Sequence, residues 1–95
     1  MSKLTVSAAS GLVLVHELGG DVITIGRGPD NVIQIDDPSV SGEHAEISLR
    51  RGRWWVRDLG STNGTLVNGT RITSPTPLIS GATVQFGRVS GRFNV

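Results

Sequence analysis

The chain has no cysteine, so neither a disulfide nor a thiolate metal site is open to it, and that lack fits a reducing compartment. It has no apolar run of the length a membrane-spanning helix needs, and its start, Met1 to Val6, lacks the long apolar stretch of a signal peptide. It has almost no net charge. Nine Lys and Arg against eight Asp and Glu leave +1 over 95 residues, and no run of basic residues stands out. The balance provides no pull toward nucleic acid or an acidic membrane, so any bound anion must be gripped locally. The length suffices for one core, and residues 1–95 are expected to form a single domain. The expectation is a cytoplasmic monomer, or one module of a larger chain, that needs no cofactor.

Glycine, by contrast, is plentiful. Thirteen glycines stand mostly singly among short runs rich in Val, Ile and Thr, the punctuation of an all-β sandwich. Strands are expected at Lys3–Ser7, Leu12–Leu18, Val22–Ile25, Val32–Ile35, His44–Arg50 and Arg53–Leu59, then at Thr65–Asn68, Arg71–Thr73, Thr83–Phe86 and Arg92–Val95. Alternation assigns Ile23, Ile25, Ile33, Ile35, Ala45, Ile47, Leu49, Trp54 and Val56 to the core face. Leu18-Gly19-Gly20-Asp21, Arg51-Gly52 and Asn68-Gly69 read as tight turns. Asp36-Asp37-Pro38-Ser39 is a turn whose carboxylates accept backbone N–H bonds, and Pro75 and Pro77 are expected to keep their segment irregular.

Polar residues concentrate between Gly26 and Gly69. Arg27 follows the end of a strand, Ser41 and His44 flank the next loop, and Thr62 and Asn63 lie in a third. One fixed cationic fork with neutral donors around it is what a phosphate needs. Residue types alone favour a plainer reading, with Arg27 a solvated charge, Ser41 and Ser61 turn residues, and Asn63-Gly64 a hairpin turn. His44 begins a half-buried strand, where a structural histidine is the commoner case than a ligand or base. His16 falls outside every motif.

The ordered set Gly26-Arg27, Ser41-x-x-His44, Asp58-Leu59-Gly60-Ser61-Thr62-Asn63-Gly64-Thr65 and Asn68-Gly69 resembles the forkhead-associated (FHA) domain in order, residue type and spacing, over roughly Val22 to Phe86. The resemblance implies an antiparallel β-sandwich of about 10–11 short strands, with loops at one end that bind a phosphothreonine-containing protein or peptide. It makes Arg27 and Ser41 phosphate contacts, sets Thr62 beside the phosphate, and lets Asn63 bond the peptide backbone. It makes His44 an internal brace, and Gly26 and Gly64 backbone-geometry positions. It also implies a non-catalytic module in Ser/Thr kinase-linked signalling or assembly.

Two positions depart from the pattern. Many relatives carry Asn or Arg where Gly42 stands, and Asp where Ala82 stands. Ser39 lies near the position that helps read the third residue after the phosphothreonine, so Ser39 and Gly42 are candidate peptide contacts. The alternative function is a phosphate-independent assembly module of the same fold. An enzyme built on Ser41 or Ser61, His44 and Asp58 lacks a nucleophile-elbow glycine pattern and has little room for a pocket. Asp36-Asp37 reads as turn chemistry, with no metal expected.

Overall fold

The structure, a computed structural model, describes residues 2–7, 11, 13–20 and 22–95. Eleven strands form in these residues: β1 (Lys3–Ser7), β2 (Val13–Glu17), β3 (Val22–Gly26), β4 (Ile33–Gln34), β5 (Ala45–Arg50), β6 (Arg53–Asp58), β7 (Thr65–Val67), β8 (Thr70–Arg71), β9 (Thr76–Pro77), β10 (Thr83–Phe86) and β11 (Val89–Asn94). They make two sheets, ordered β2-β1-β11-β10-β7-β8 and β4-β3-β5-β6-β9. The inward faces meet in one cluster, with Leu4, Val84, Phe86 and Phe93 from the first sheet against Ile23, Ile25, Ile47 and Val56 from the second. The result is the expected all-β sandwich. No helix of the described residues is long and apolar enough to cross a membrane.

Local chemistry sets most boundaries. Asn68 and Gly69 take φ of 50° and 83°, the paired positive values of a two-residue hairpin turn, so β7 returns as β8. The structure corrects several expectations. β3 and β4 pair in parallel, so the second sheet is mixed. Leu18-Gly19-Gly20-Asp21 is no hairpin turn, because β2 pairs with β1 and β3 lies in the other sheet; Asp21 itself, like Leu12, is outside the described residues. Leu49 is 45% exposed, close to the Arg51-Gly52 turn that follows β5, although Trp54 opposite it is buried. Thr76 and Pro77 pair with Val56 and Trp55. Proline is tolerated there because β9 is an edge strand, whose outer side needs no N–H.

The topology gathers three loops at one end. β3 runs antiparallel to β5, and β5 to β6, so the close of β3, the start of β5 and the close of β6 share that end. Thr65 at the start of β7 lies opposite Phe86 at the close of β10, which adds the other sheet's corner. The β5–β6 turn lies at the far end.

Candidate functional site

The β3–β4 and β4–β5 loops are joined through their backbones. Arg27 N–H donates to Ser41 O at 2.9 Å and Gly28 N–H to Gly42 O at 3.1 Å. The approach is so close that a Cβ on Gly26 would collide with the Gly42 carbonyl and lie 2.8 Å from Asn31 Nδ2. Only glycine fits there. Asn31 adds a bridge, its Nδ2 donating to Gly28 O at 2.8 Å and Gly42 O at 2.6 Å. Sequence reading missed Asn31, whose partner in the second loop is eleven residues away.

His44 ties the second loop to the third. It is fully buried, Nδ1 accepts from Ser41 N–H at 3.1 Å, and Nε2 lies 2.8 Å from Gly64 O. A carbonyl can only accept, so the proton sits on Nε2 and Nδ1 is the acceptor, the neutral tautomer. The ring also packs edge-on to Phe86 at 5.8 Å. Gly64 has φ of 87°, a backbone angle that favours glycine, and its Cα faces the Arg71 side chain, whose Nε would lie 2.7 Å from a Cβ there unless the side chain moved aside. Arg71 thereby adds a cation to the rim.

The third loop is wound on Asp58. Its Oδ2 accepts from Gly60 N–H and Ser61 N–H at 3.0 Å, and its Oδ1 from Ser61 Oγ at 2.5 Å and Thr65 Oγ1 at 2.7 Å. Burial alone would raise the carboxyl's pKa, but the bonds from Ser61, Thr65 and Gly60 outweigh it and hold the group below its usual range. Ser61 Oγ in turn accepts from Gly64 N–H at 2.9 Å. The Asp-x-Gly-Ser spacing was the signal available in sequence, since short acidic side chains bond N–H groups two and three residues on.

These supports leave specific groups facing outward. Ser41 Oγ accepts from Thr62 N–H at 3.0 Å, which fixes the oxygen and leaves the hydroxyl proton to donate elsewhere. Thr62 and Asn63 are exposed. Asn63 Nδ2 donates to Ser39 O at 2.8 Å, leaving its carbonyl and second N–H available. Arg27 is half exposed, its Nε 3.7 Å from Asp36 Oδ1 on a carboxylate that is 90% exposed, a long contact screened by solvent. Arg27, Ser41 and Thr62 are therefore linked in sequence by hydrogen bonds, and Asn63 adjoins them.

Ser39 and Gly42 do not share this arrangement. Ser39 is 8% exposed; its hydroxyl donates to Asp37 Oδ1 at 2.6 Å and accepts from Arg88 N–H at 2.9 Å. The hydroxyl is thereby built into the loop, and a side-chain contact from Ser39 to a peptide is not what this geometry offers. The same Ser39 bonds, side chain before backbone, hold Asp37 below its usual pKa. Gly42 is exposed, with nothing within 4 Å of a Cβ built on it.

An arginine fork, an oriented hydroxyl and exposed neutral donors gathered at one loop end are the group types that local anion binding needs. The chain belongs to the FHA domain family, whose model matches residues 23–87. The FHA domain-containing protein FhaB of Mycolicibacterium smegmatis is 38% identical over 71 residues, which are 75% of this chain and 46% of FhaB. The chain thus spans less than half the length of that relative. Among solved structures, the FhaA FHA domain complexed with the intracellular domain of Rv3910 matches with a TM-score of 0.88 at 29% identity, over 99% of this chain and 100% of that one. A structure from an analysis of phosphothreonine-dependent FHA domain interactions matches with a TM-score of 0.86 at 29% identity, over 99% and 95% of the two chains.

Proposed function

We propose that the 95 residues act as one non-catalytic module that recognises phosphothreonine in a protein or peptide, in Ser/Thr kinase-linked signalling or assembly in the cytoplasm. One observation carries the reading. Ser41 Oγ is fixed by Thr62 N–H while Arg27, bonded backbone to backbone with Ser41, has a half-exposed guanidinium whose one ion-pair contact among the described residues is the long 3.7 Å approach to exposed Asp36. In this reading Arg27 takes two phosphate oxygens, the Ser41 hydroxyl donates to a third, Thr62 lies beside the phosphate, and Asn63 bonds the peptide backbone. Gly26, His44 and Gly64 hold the loops in place. The FHA relatives with phosphothreonine-dependent interactions support it.

An array of threonine peptides presented with and without phosphate tests the proposal. Binding confined to phosphorylated members is expected, and equal binding to both sets would overturn it. The second reading, phosphate-independent assembly on the same fold, is favoured by Gly42, which offers no side-chain donor beside Ser41. The same array separates the two.

A further inference from the structure

The outward face of β5 and β6, away from the loop end, carries a feature that phosphate recognition does not use. Strand register sets Glu46 opposite Arg57, Ser48 opposite Trp55, and Arg50 opposite Arg53. The first pair is closed, with Arg57 Nη2 2.9 Å from Glu46 Oε1. The last is not. Two guanidiniums directly across a strand pair repel and lower stability, and Arg51 adds a third charge in the adjoining turn. Among the described residues, neither Arg50, Arg51 nor Arg53 has a carboxylate within ion-pair distance. Half-buried Trp55 stands between the closed pair and the open one, and the whole face is concave, a hollow of about 700 Å³.

We infer that this hollow is a second docking surface, for a short acidic segment of a partner protein: carboxylates placed between Arg50, Arg51 and Arg53 would relieve their repulsion, while an apolar side chain packs on Trp55. Arg and Trp in a concave, partly desolvated patch are the residue types that carry binding energy at protein interfaces. Four of the chain's nine basic residues gather here on a protein of net charge +1, so the attraction is local. A nucleic-acid strand fits the face less well. Toward the loops the same sheet face opens into a second hollow lined by Asp30, Glu43 and the shared Glu46, and a phosphodiester chain running on along the strands would meet those carboxylates. The surface does not depend on phosphate recognition at the other end.

The test uses the whole chain and fluorescein-labelled decaglutamate, read by anisotropy at low and high salt, with a twelve-nucleotide oligothymidylate as the competing class. Decaglutamate is expected to bind saturably and to weaken as salt screens the arginines. Arg50→Glu is the informative variant, because its new carboxylate can pair with Arg53. It should lose roughly tenfold in decaglutamate affinity while its melting temperature holds or rises by about 2 °C. A purely structural arginine would not separate the two readouts in that way. Should Arg50→Glu melt lower, Arg51→Glu in the exposed turn gives the same binding test. Arg27→Ala should leave decaglutamate binding unchanged. Absence of decaglutamate binding, tighter binding of oligothymidylate, full affinity in the folded charge-reversal variants, or loss in Arg27→Ala would each overturn the inference.

Discussion

At one end of the five-stranded sheet, where β3 stops, Ser41 holds its hydroxyl oxygen against Thr62 N–H and passes its own N–H to His44. At the other end, where β5 turns into β6, Arg50 faces Arg53, and among the described residues neither has a carboxylate within ion-pair distance. Both ends present polar groups to solvent, but by opposite means. The loop end spends most of its hydrogen-bonding capacity on itself: Asp58 alone accepts four bonds. What remains outward is a small number of directed groups, suited to the fixed tetrahedron of a phosphate. The hairpin end fixes only backbone register and leaves charge unneutralised, suited to carboxylates of looser arrangement. Rigidity, more than charge, separates the two surfaces.

The sharpest way to break that comparison is to remove the cation from the rigid end. Arg27→Ala is expected to abolish measurable phosphothreonine-peptide binding, a loss on the order of 2–4 kcal/mol or roughly 30- to 1000-fold, with the β-sheet circular dichroism unchanged because the side chain is half exposed. Arg27→Lys should restore part of the affinity, since a point charge lacks the planar fork. Near-native affinity in a folded Arg27→Ala protein would remove the proposed site.

A second break goes through the supports. His44→Phe keeps a ring against Phe86 and deletes the two bonds to Ser41 N–H and Gly64 O. Ser41 N–H loses its partner and Gly64 O keeps only the bond from Gly87 N–H at 3.2 Å, so stability should fall by about 2 kcal/mol and the melting temperature by roughly 10 °C. Thermal denaturation decides it, and an unchanged midpoint would contradict the bracing role.

What could be read in sequence divides along the same line. The strands, the turns at Asn68-Gly69 and the order of the motif residues depend on local pattern, and local pattern is what a sequence displays. Long-range pairings were not legible. Ser39 has the chemistry of a peptide contact, but Arg88, 49 residues away, engages its hydroxyl. Arg50, Arg51, Arg53 and Arg57 stand close together in the sequence, but only strand register shows that Arg50, Arg53 and Arg57 share one face, with Arg50 opposite Arg53. Pro77 reads as irregular because its missing N–H matters only on the inner side of a sheet, and nothing in the chain says that β9 is an edge. Gly26 was recognisable by its motif, but the reason for it, the Gly42 carbonyl, lies in another loop that only the fold brings close.

Gly42 offers a way to sharpen the loop end instead of breaking it. The space around its Cβ direction is open and its φ lies outside the left-handed region, so Gly42→Asn should fold without strain and add a donor beside Ser41. One new hydrogen bond to a charged phosphate is worth about 1 kcal/mol net, roughly a fivefold gain in phosphopeptide affinity. Titration of the same peptide against both proteins measures it. A gain for the phosphorylated form alone would favour phosphate recognition, and an equal gain for the unphosphorylated form would favour the assembly reading.

The smallest expected effect is on pH. A phosphothreonine has a second pKa of about 6, so lowering pH from about 7.5 to 5.5 converts most of the dianion to monoanion and should weaken binding by about fourfold if the dianion is the form recognised. Recognition of the dianion lowers the bound phosphate's pKa, so affinity is full above the free value and is lost as pH falls through it. The protein's own shifted carboxylates act elsewhere. Asp58 and Asp37 both lie below the usual value of 3.8 in the folded chain, so the stability they contribute is present above that value and is lost only as pH falls through their lower, folded values. Neither titrates between pH 5.5 and 7.5. If the loss belongs to the ligand, a difluoromethylene phosphonate analogue, whose second pKa is lower, should move the affinity midpoint down by the same interval, whereas a midpoint that stays put would place the titration on the protein. Anisotropy titrations at fixed ionic strength measure both ligands. A flat profile for the phosphothreonine peptide would mean that the rigid end does not distinguish dianion from monoanion, and that its donors are not directed at phosphate as proposed.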